Sequence, residues 1–176
     1  MNTKAHSRGA QDAVDLLMAD HREVKEKFAQ YEQLGPRAHV GKQKLAEEIC
    51  LALTKHTVAE EEIFYPAVRA AVRDSDDMMD EALVEHAGAK DLIAQLLAMD
   101  PDDELYDAKV KVLSEQIDHH VEEEESEMFP KARKSSLDLA ELARQIAARK
   151  DEVDLSDAAP QGTQAQRPAR GGGATA

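Results

Sequence analysis

The chain of 176 residues has one cysteine, no tryptophan and an aromatic content of only 3%. A single thiol, Cys50, excludes an intrachain disulfide and a thiolate zinc cluster. With so few rings, the interior must be filled by Leu, Ala, Val, Ile and Met, a palette that favours helix over sheet. Positive charge is also scarce: 22 Lys and Arg against 36 Asp and Glu leave a net −14. That balance argues against nucleic acid, which needs a basic footprint, and against docking on an anionic membrane surface. Met1 to Ala10 hold no stretch resembling a signal peptide, and no apolar run approaches membrane-spanning length. The expectation is a cytoplasmic protein, a monomer or weak homo-oligomer, and its 42% apolar residues suit one domain.

Periodicity predicts an all-α chain. A first helix is expected from about Asp12 to Leu34, with Val14, Leu17, Val24, Phe28 and Tyr31 inward and Gly35-Pro36 ending it. A second follows Pro36 with Leu45, Ile49, Leu53 and Ile63 on one stripe, kinked but not stopped by Pro66. Ser75 is the expected cap of a third helix running to about Met99, with Met79, Leu83, Ile93 and Leu97 inward. Asp100-Pro101 signals the start of a fourth that continues to about Lys134, with Leu105, Leu113, Ile117 and Met128 inward. A shorter fifth, capped by Ser136, covers about Leu137 to Lys150. The fold expected is an up-down four-helix bundle over 12–150, with a flexible N-terminus (1–11), a short additional C-terminal helix and a disordered tail (151–176).

Polar residues interrupt the apolar stripes in a repeating way. His56-Thr-Val-Ala-Glu60 and His120-Val-Glu-Glu-Glu124 each place a Glu four residues after a His, and an aromatic-Pro pair closes each segment at Pro66 and Pro130. Residues four apart lie on one helix face, roughly 6 Å apart, so each copy aims an imidazole and a carboxylate at one point. An isolated His precedes each copy, His21 by 35 residues and His86 by 34. All six fall on the inward stripes, where an uncompensated carboxylate costs several kcal/mol. One His–Glu pair is an ordinary helix contact; two copies with matching leaders point to metal. Imidazole and carboxylate donors suit iron, manganese or zinc, and four His with two Glu exceed one tetrahedral zinc but fit two metals. Diiron bundles built on Glu-x-x-His are excluded, because that tetrapeptide is absent. The rest of the runs Glu60–Glu62 and Glu122–Glu125 are expected to be solvated.

The pattern His21 … His56-x3-Glu60 … His86 … His120-x3-Glu124, with Phe-Tyr-Pro and Met-Phe-Pro trailing, resembles the hemerythrin (HHE cation-binding) family over about Val14 to Lys134. The resemblance implies a non-haem, oxo- or hydroxo-bridged diiron centre. His21 and His56 would serve one iron, His86 and His120 the other, with Glu60 and Glu124 bridging, and dioxygen or hydrogen peroxide would bind at an open position. Oxygen-carrying hemerythrins place two His one turn apart on the third helix. Here Ala82 and Lys90 occupy the positions one turn either side of His86, so reactive or sensory roles gain weight over oxygen carriage.

Two further residues are candidate ligands. Tyr65 offers a phenolate, although an ideal helix points it away from Glu60 and aromatic packing is its competing role. Glu127, two turns beyond His120, could reach the rim. His119 is expected outward or behind His120, and His39 and His6 are expected to be incidental. Three functions remain open: peroxide decomposition or other oxygen chemistry, an iron or oxygen sensor with a protein partner at the tail, or a bundle with incidental histidines.

Overall fold

The computed structural model describes residues 11–158. Residues 1–10 of the expected flexible N-terminus and 159–176 of the expected tail lie outside them. Among the described residues every regular element is helical. Helix α1 (Ala13–Glu32) opens on Asp12, whose carboxylate accepts from the Asp15 amide while the Asp15 side chain reaches back, a capping box. Helix α2 (His39–Ala59) runs through a five-residue π-turn, Glu60–Phe64, into α3 (Tyr65–Ala71), so the rod continues past Pro66 as expected. Helix α4 spans Asp76–Leu97, and α5 (Tyr106–Glu123) passes through a second π-turn, Glu124–Met128, into α6 (Phe129–Lys134). Helix α7 (Leu139–Glu152) packs across α1 and α2 and is followed by a 3-10 turn, Leu155–Ala158. The result is a four-helix bundle with an additional C-terminal helix.

Several boundaries differ from expectation for identifiable reasons. The fourth helix starts at Tyr106, not at Asp100-Pro101. The Asp103 carboxylate accepts from the Asp100 amide at 3.0 Å, and the Tyr106 amide donates to the Asp103 carbonyl at 3.0 Å. These local bonds hold turns in place of a helix, and Leu105 is exposed where an inward position was expected. Ser75 stands at the N-cap position of α4 as expected, and its carbonyl accepts from the Met79 amide at 3.0 Å, but its hydroxyl donates back to the Val72 carbonyl at 2.9 Å and makes no capping bond. The cap of α7 is Asp138, accepting from the Glu141 amide at 2.9 Å, so Ser136 is not the cap. Leu83 and Leu97 are more than a third exposed, because the buried stripe of α4 runs through Met79, Ala82, His86, Ala89, Ile93 and Leu96. Small Ala82 and Ala89 hold the inward positions and let neighbouring backbones approach. Of residues 151–158, expected in the tail, the first two complete α7 and the last four form the 3-10 turn, with Val153 and Ala158 buried.

The apolar interior falls into two clusters. One gathers Phe28, Ile49, Leu53, Ile93, Leu113 and Ile117 among others. The second gathers Leu17, Phe64, Met79, Met128, Phe129 and Ile146. Between them lies a polar layer: His21 separates Leu17 from Val24, and His120 follows Ile117. No helix among the described residues is long and apolar enough to cross a membrane.

Candidate metal centre

All six residues that the spacing singled out are at most 5% exposed, and they meet in the polar layer. His21 Nε2 lies 3.2 Å from His56 Nε2, and His86 Nε2 lies 3.1 Å from His120 Nε2. Glu60 Oε2 is 3.0 Å from His56 Nε2 and 3.4 Å from His86 Nε2. Glu124 Oε2 is 3.2 Å from His21 Nε2 and 3.5 Å from His120 Nε2. Each carboxylate therefore stands between one imidazole of either pair. Donor atoms of His21, His56, Glu60 and Glu124 fall within 4.8 Å of one another, as do those of Glu60, His86 and His120.

The π-turns shape this layer. Pro66 and Pro130 have no N–H, so the preceding residue takes over: the Tyr65 amide donates to the Glu60 carbonyl, and the Phe129 amide to that of Glu124. On an α-helix a residue five places on lies about 140° round. The wider turn brings it back to the inward face. Tyr65 accordingly enters the centre, against ideal-helix geometry. Its hydroxyl donates to Glu124 Oε1 at 2.8 Å and lies 3.3 Å from Glu60 Oε2 and 3.2 Å from His86 Nε2. Its ring also stacks on His86 at 5.4 Å, as Phe129 stacks on His21 at 5.5 Å. The two stacked rings thus differ by one hydroxyl, which only Tyr65 carries.

Four carboxylates that the sequence reading did not assign hold the imidazoles from behind. His21 Nδ1 lies 2.9 Å from Glu125, His56 Nδ1 3.2 Å from Asp20, His86 Nδ1 2.9 Å from Glu61 and His120 Nδ1 2.7 Å from Glu85. With the proton on Nδ1 donated outward, every Nε2 lone pair faces inward. Glu61 and Glu125 thereby depart from the solvated role expected of the acidic runs. Lys150 donates to Asp20 at 2.5 Å and Lys90 to Glu61 at 2.6 Å.

The charges interact strongly. Burial opposes protonation of His56, but the Glu60 charge and the Asp20 hydrogen bond outweigh it and push His56 up to about 10. Burial would raise Glu60, yet His56 and His86 hold it well below the usual carboxylate range. Asp20 and Glu61 are likewise lowered: burial is overcome by His56 and Lys150 for the first, and by His86 and Lys90 for the second. Burial, then the charges of Glu60 and Glu124, keep the Tyr65 phenol well above its normal value.

The remaining candidates sit apart. Glu127 belongs to neither donor cluster: it lies within the second π-turn, faces outward and pairs with Lys131 at 3.5 Å. His119 is exposed, 3.6 Å from Glu85 and 3.5 Å from Glu123. His39 lies 3.3 Å from the Pro101 carbonyl, and His6 is outside the described residues. At the positions one turn either side of His86, Ala82 is buried and Lys90 turns away to Glu61. A cavity of about 10 Å³, room for roughly one water-sized molecule, lies beside all four imidazoles and is otherwise walled by residues such as Leu53, Ile117 and Val121.

The donor set fits a cation on evidence internal to the protein. Glu60 Oε1 and Glu124 Oε2 are buried and accept no hydrogen bond. Orphaned buried carboxylate oxygens cost several kcal/mol unless a cation takes them. Two nitrogens about 2.1 Å from one cation and at right angles stand about 3 Å apart, close to the spacing within each His pair.

Comparison with known proteins agrees. Residues 12–132 match the family described as Hemerythrin HHE cation binding domain. A "DNA nickase" of Nostoc sp. (strain PCC 7120) is 29% identical over 141 residues, which cover 79% of this chain but 39% of that protein. The chain thus spans about two fifths of the length of that relative. A crystal structure of a hemerythrin HHE cation binding domain-containing protein from Mycobacterium kansasii shares the fold. Its TM-score is 0.68 at 22% identity, over 80% of this chain and 86% of the other.

Proposed function

Because the chain belongs to the hemerythrin HHE cation-binding domain family, we propose that it holds a pair of iron ions and reacts with dioxygen or hydrogen peroxide. The observation that carries this reading is the orientation of four imidazoles with every Nε2 inward, around two carboxylates that each lack a hydrogen bond on one oxygen. In the assignment proposed, His21 and His56 hold one ion, His86 and His120 the other, and Glu60 and Glu124 reach both. Nitrogen and oxygen donors favour iron, with manganese and zinc as alternatives. Such an iron pair supplies electron exchange with dioxygen or peroxide.

The chain supplies the rest. The outer carboxylates fix each ring and raise its basicity as a donor. The Tyr65 hydroxyl carries a proton aimed at Glu124 and is the nearest further oxygen available to the centre. The small cavity beside the imidazoles has room for about one water, and its largely apolar walls keep bulk water out. Neither residue one turn from His86, Ala82 or Lys90, offers an imidazole, and this smaller donor set favours turnover of peroxide over reversible oxygen carriage. The Nostoc relative is named for nicking DNA, but the net charge of −14 gives this chain no basic footprint for a phosphate backbone. A cytoplasmic protein, a monomer or weak homo-oligomer, without nucleic-acid or membrane partners is the setting proposed.

Stopped-flow mixing of iron-reconstituted protein with hydrogen peroxide tests the activity. Consumption faster than that of the same concentration of free iron is expected. Equal rates would remove the peroxide reading.

A further inference from the structure

An acidic cleft of about 280 Å³ opens between α4 and the second π-turn. Asp77, Glu81, Glu85, Glu123 and Glu127 line it, against the single cation Lys131. Its lining also includes His120 and Glu124 of the centre, and Glu124 Oε2, 1% exposed with its residue, accepts no hydrogen bond. Small Ala82 forms part of its wall. Nearby, Glu85, His119 and Glu123 bring one donor each within 4.8 Å of one another. Glu85 joins the two places: Oε1 lies 3.6 Å from His119, and Oε2 lies 2.7 Å from His120 Nδ1.

Other openings lack this continuity. Surface clefts of about 330 and 510 Å³ include none of the six central residues in their lining. The first carries Lys27, Lys55 and Lys150, and the second is crossed by the Lys90–Glu61 pair. The cavity above the imidazoles is mainly apolar and has room for about one water, too small for a hydrated divalent ion.

We propose that the acidic cleft is the loading route of the centre. A divalent cation docks weakly on His119, Glu85 and Glu123, then passes along the cleft to Glu124, the first residue of the centre with an unpartnered donor atom. The inference rests on the metal-centre reading above. A mouth lined by one sign of charge concentrates ions of the other and accelerates their capture by about tenfold or more at low salt.

Uptake of Co(II), which is optically visible and stable in air, by the metal-free full chain tests the route. The paired substitution H119A/E123Q is expected to slow uptake about tenfold and flatten its dependence on ionic strength, with final stoichiometry unchanged. K131Q removes the one opposing charge and is expected to speed uptake, a gain that misfolding cannot mimic. E23Q, on another face, serves as the control and is expected to leave the rate unaltered. Identical rates in the cleft variants and the control, with full final stoichiometry, would overturn the route alone. Absence of stoichiometric Co(II) binding by the unmodified chain would overturn the centre and the route with it.

Discussion

Glu125 offers a sharp separation of local orientation from general acidity. Its carboxylate lies 2.9 Å from His21 Nδ1, its side chain is 36% exposed, and it sits in a run with exposed Glu122, which touches no imidazole. Glu125→Gln retains an oxygen for the Nδ1 proton but removes the charge; Glu125→Ala removes both. Loss of such an outer partner costs about 10- to 100-fold in metal affinity. That corresponds to about 1.4 to 2.7 kcal/mol, so about tenfold is expected for Gln and closer to a hundredfold for Ala. Glu122→Gln changes the net charge identically and is expected to alter affinity less than about twofold, since an exposed charge is screened. Chelator competition followed optically supplies the assay. Because His21 belongs to one of the two donor clusters, metal loss from Glu125→Ala should be biphasic, with only one phase accelerated. Equal affinities for the 122 and 125 variants would show that the carboxylates behind the rings act only as bulk charge.

Tyr65→Phe gives both stacked rings the same apolar edge and strips Glu124 Oε1 of its 2.8 Å donor. A hydrogen bond to a buried charge contributes about 1.5 to 3 kcal/mol, which lowers the urea midpoint of metal-free protein by about 1 M; an unmoved midpoint would contradict the geometry. The pH dependence of metal-free protein follows from the raised His56 and the lowered Asp20, Glu60 and Glu61. His56, raised from 6.5 to about 10, contributes stability that is full below about pH 6.5 and lost as pH climbs towards 10. The lowered carboxylates contribute stability present above about pH 4.5 and lost in acid. Urea midpoints should therefore peak between these limits without metal. With metal bound they should keep rising above pH 6.5, because cations and protons compete for the same nitrogens. A flat metal-free profile from pH 6.5 to 10 would sink the argument.

The six central residues were legible because helical spacing converts directly into a shared face, and the motif occurs twice. Tyr65 was harder. A fixed turn of 100° per residue sends it outward, and only the π-turn returns it. A usable signal existed in Pro66 and Pro130, each one place after an aromatic and each lacking the N–H that an α-helix would use. The outer carboxylates also left a trace, since Asp20, Glu61, Glu85 and Glu125 each adjoin a central residue in sequence. What spacing could not reveal is that each serves an imidazole on a different helix: Asp20 sits beside His21 but holds His56. That exchange depends on how the helices are rotated against one another. The Asp100-Pro101 signal misled because the chain there closes two successive three-residue turns, Asp103 amide to Asp100 carbonyl and Tyr106 amide to Asp103 carbonyl, and the continuous helix begins only at Tyr106.

Elemental analysis of gently purified protein, beside the paired substitution Glu60→Gln/Glu124→Gln, tests the centre most directly. Iron at about two ions per chain in the unmodified protein, and far less in the variant, is the expected result. Protein without bound metal, or a variant that keeps the same stoichiometry, would contradict it.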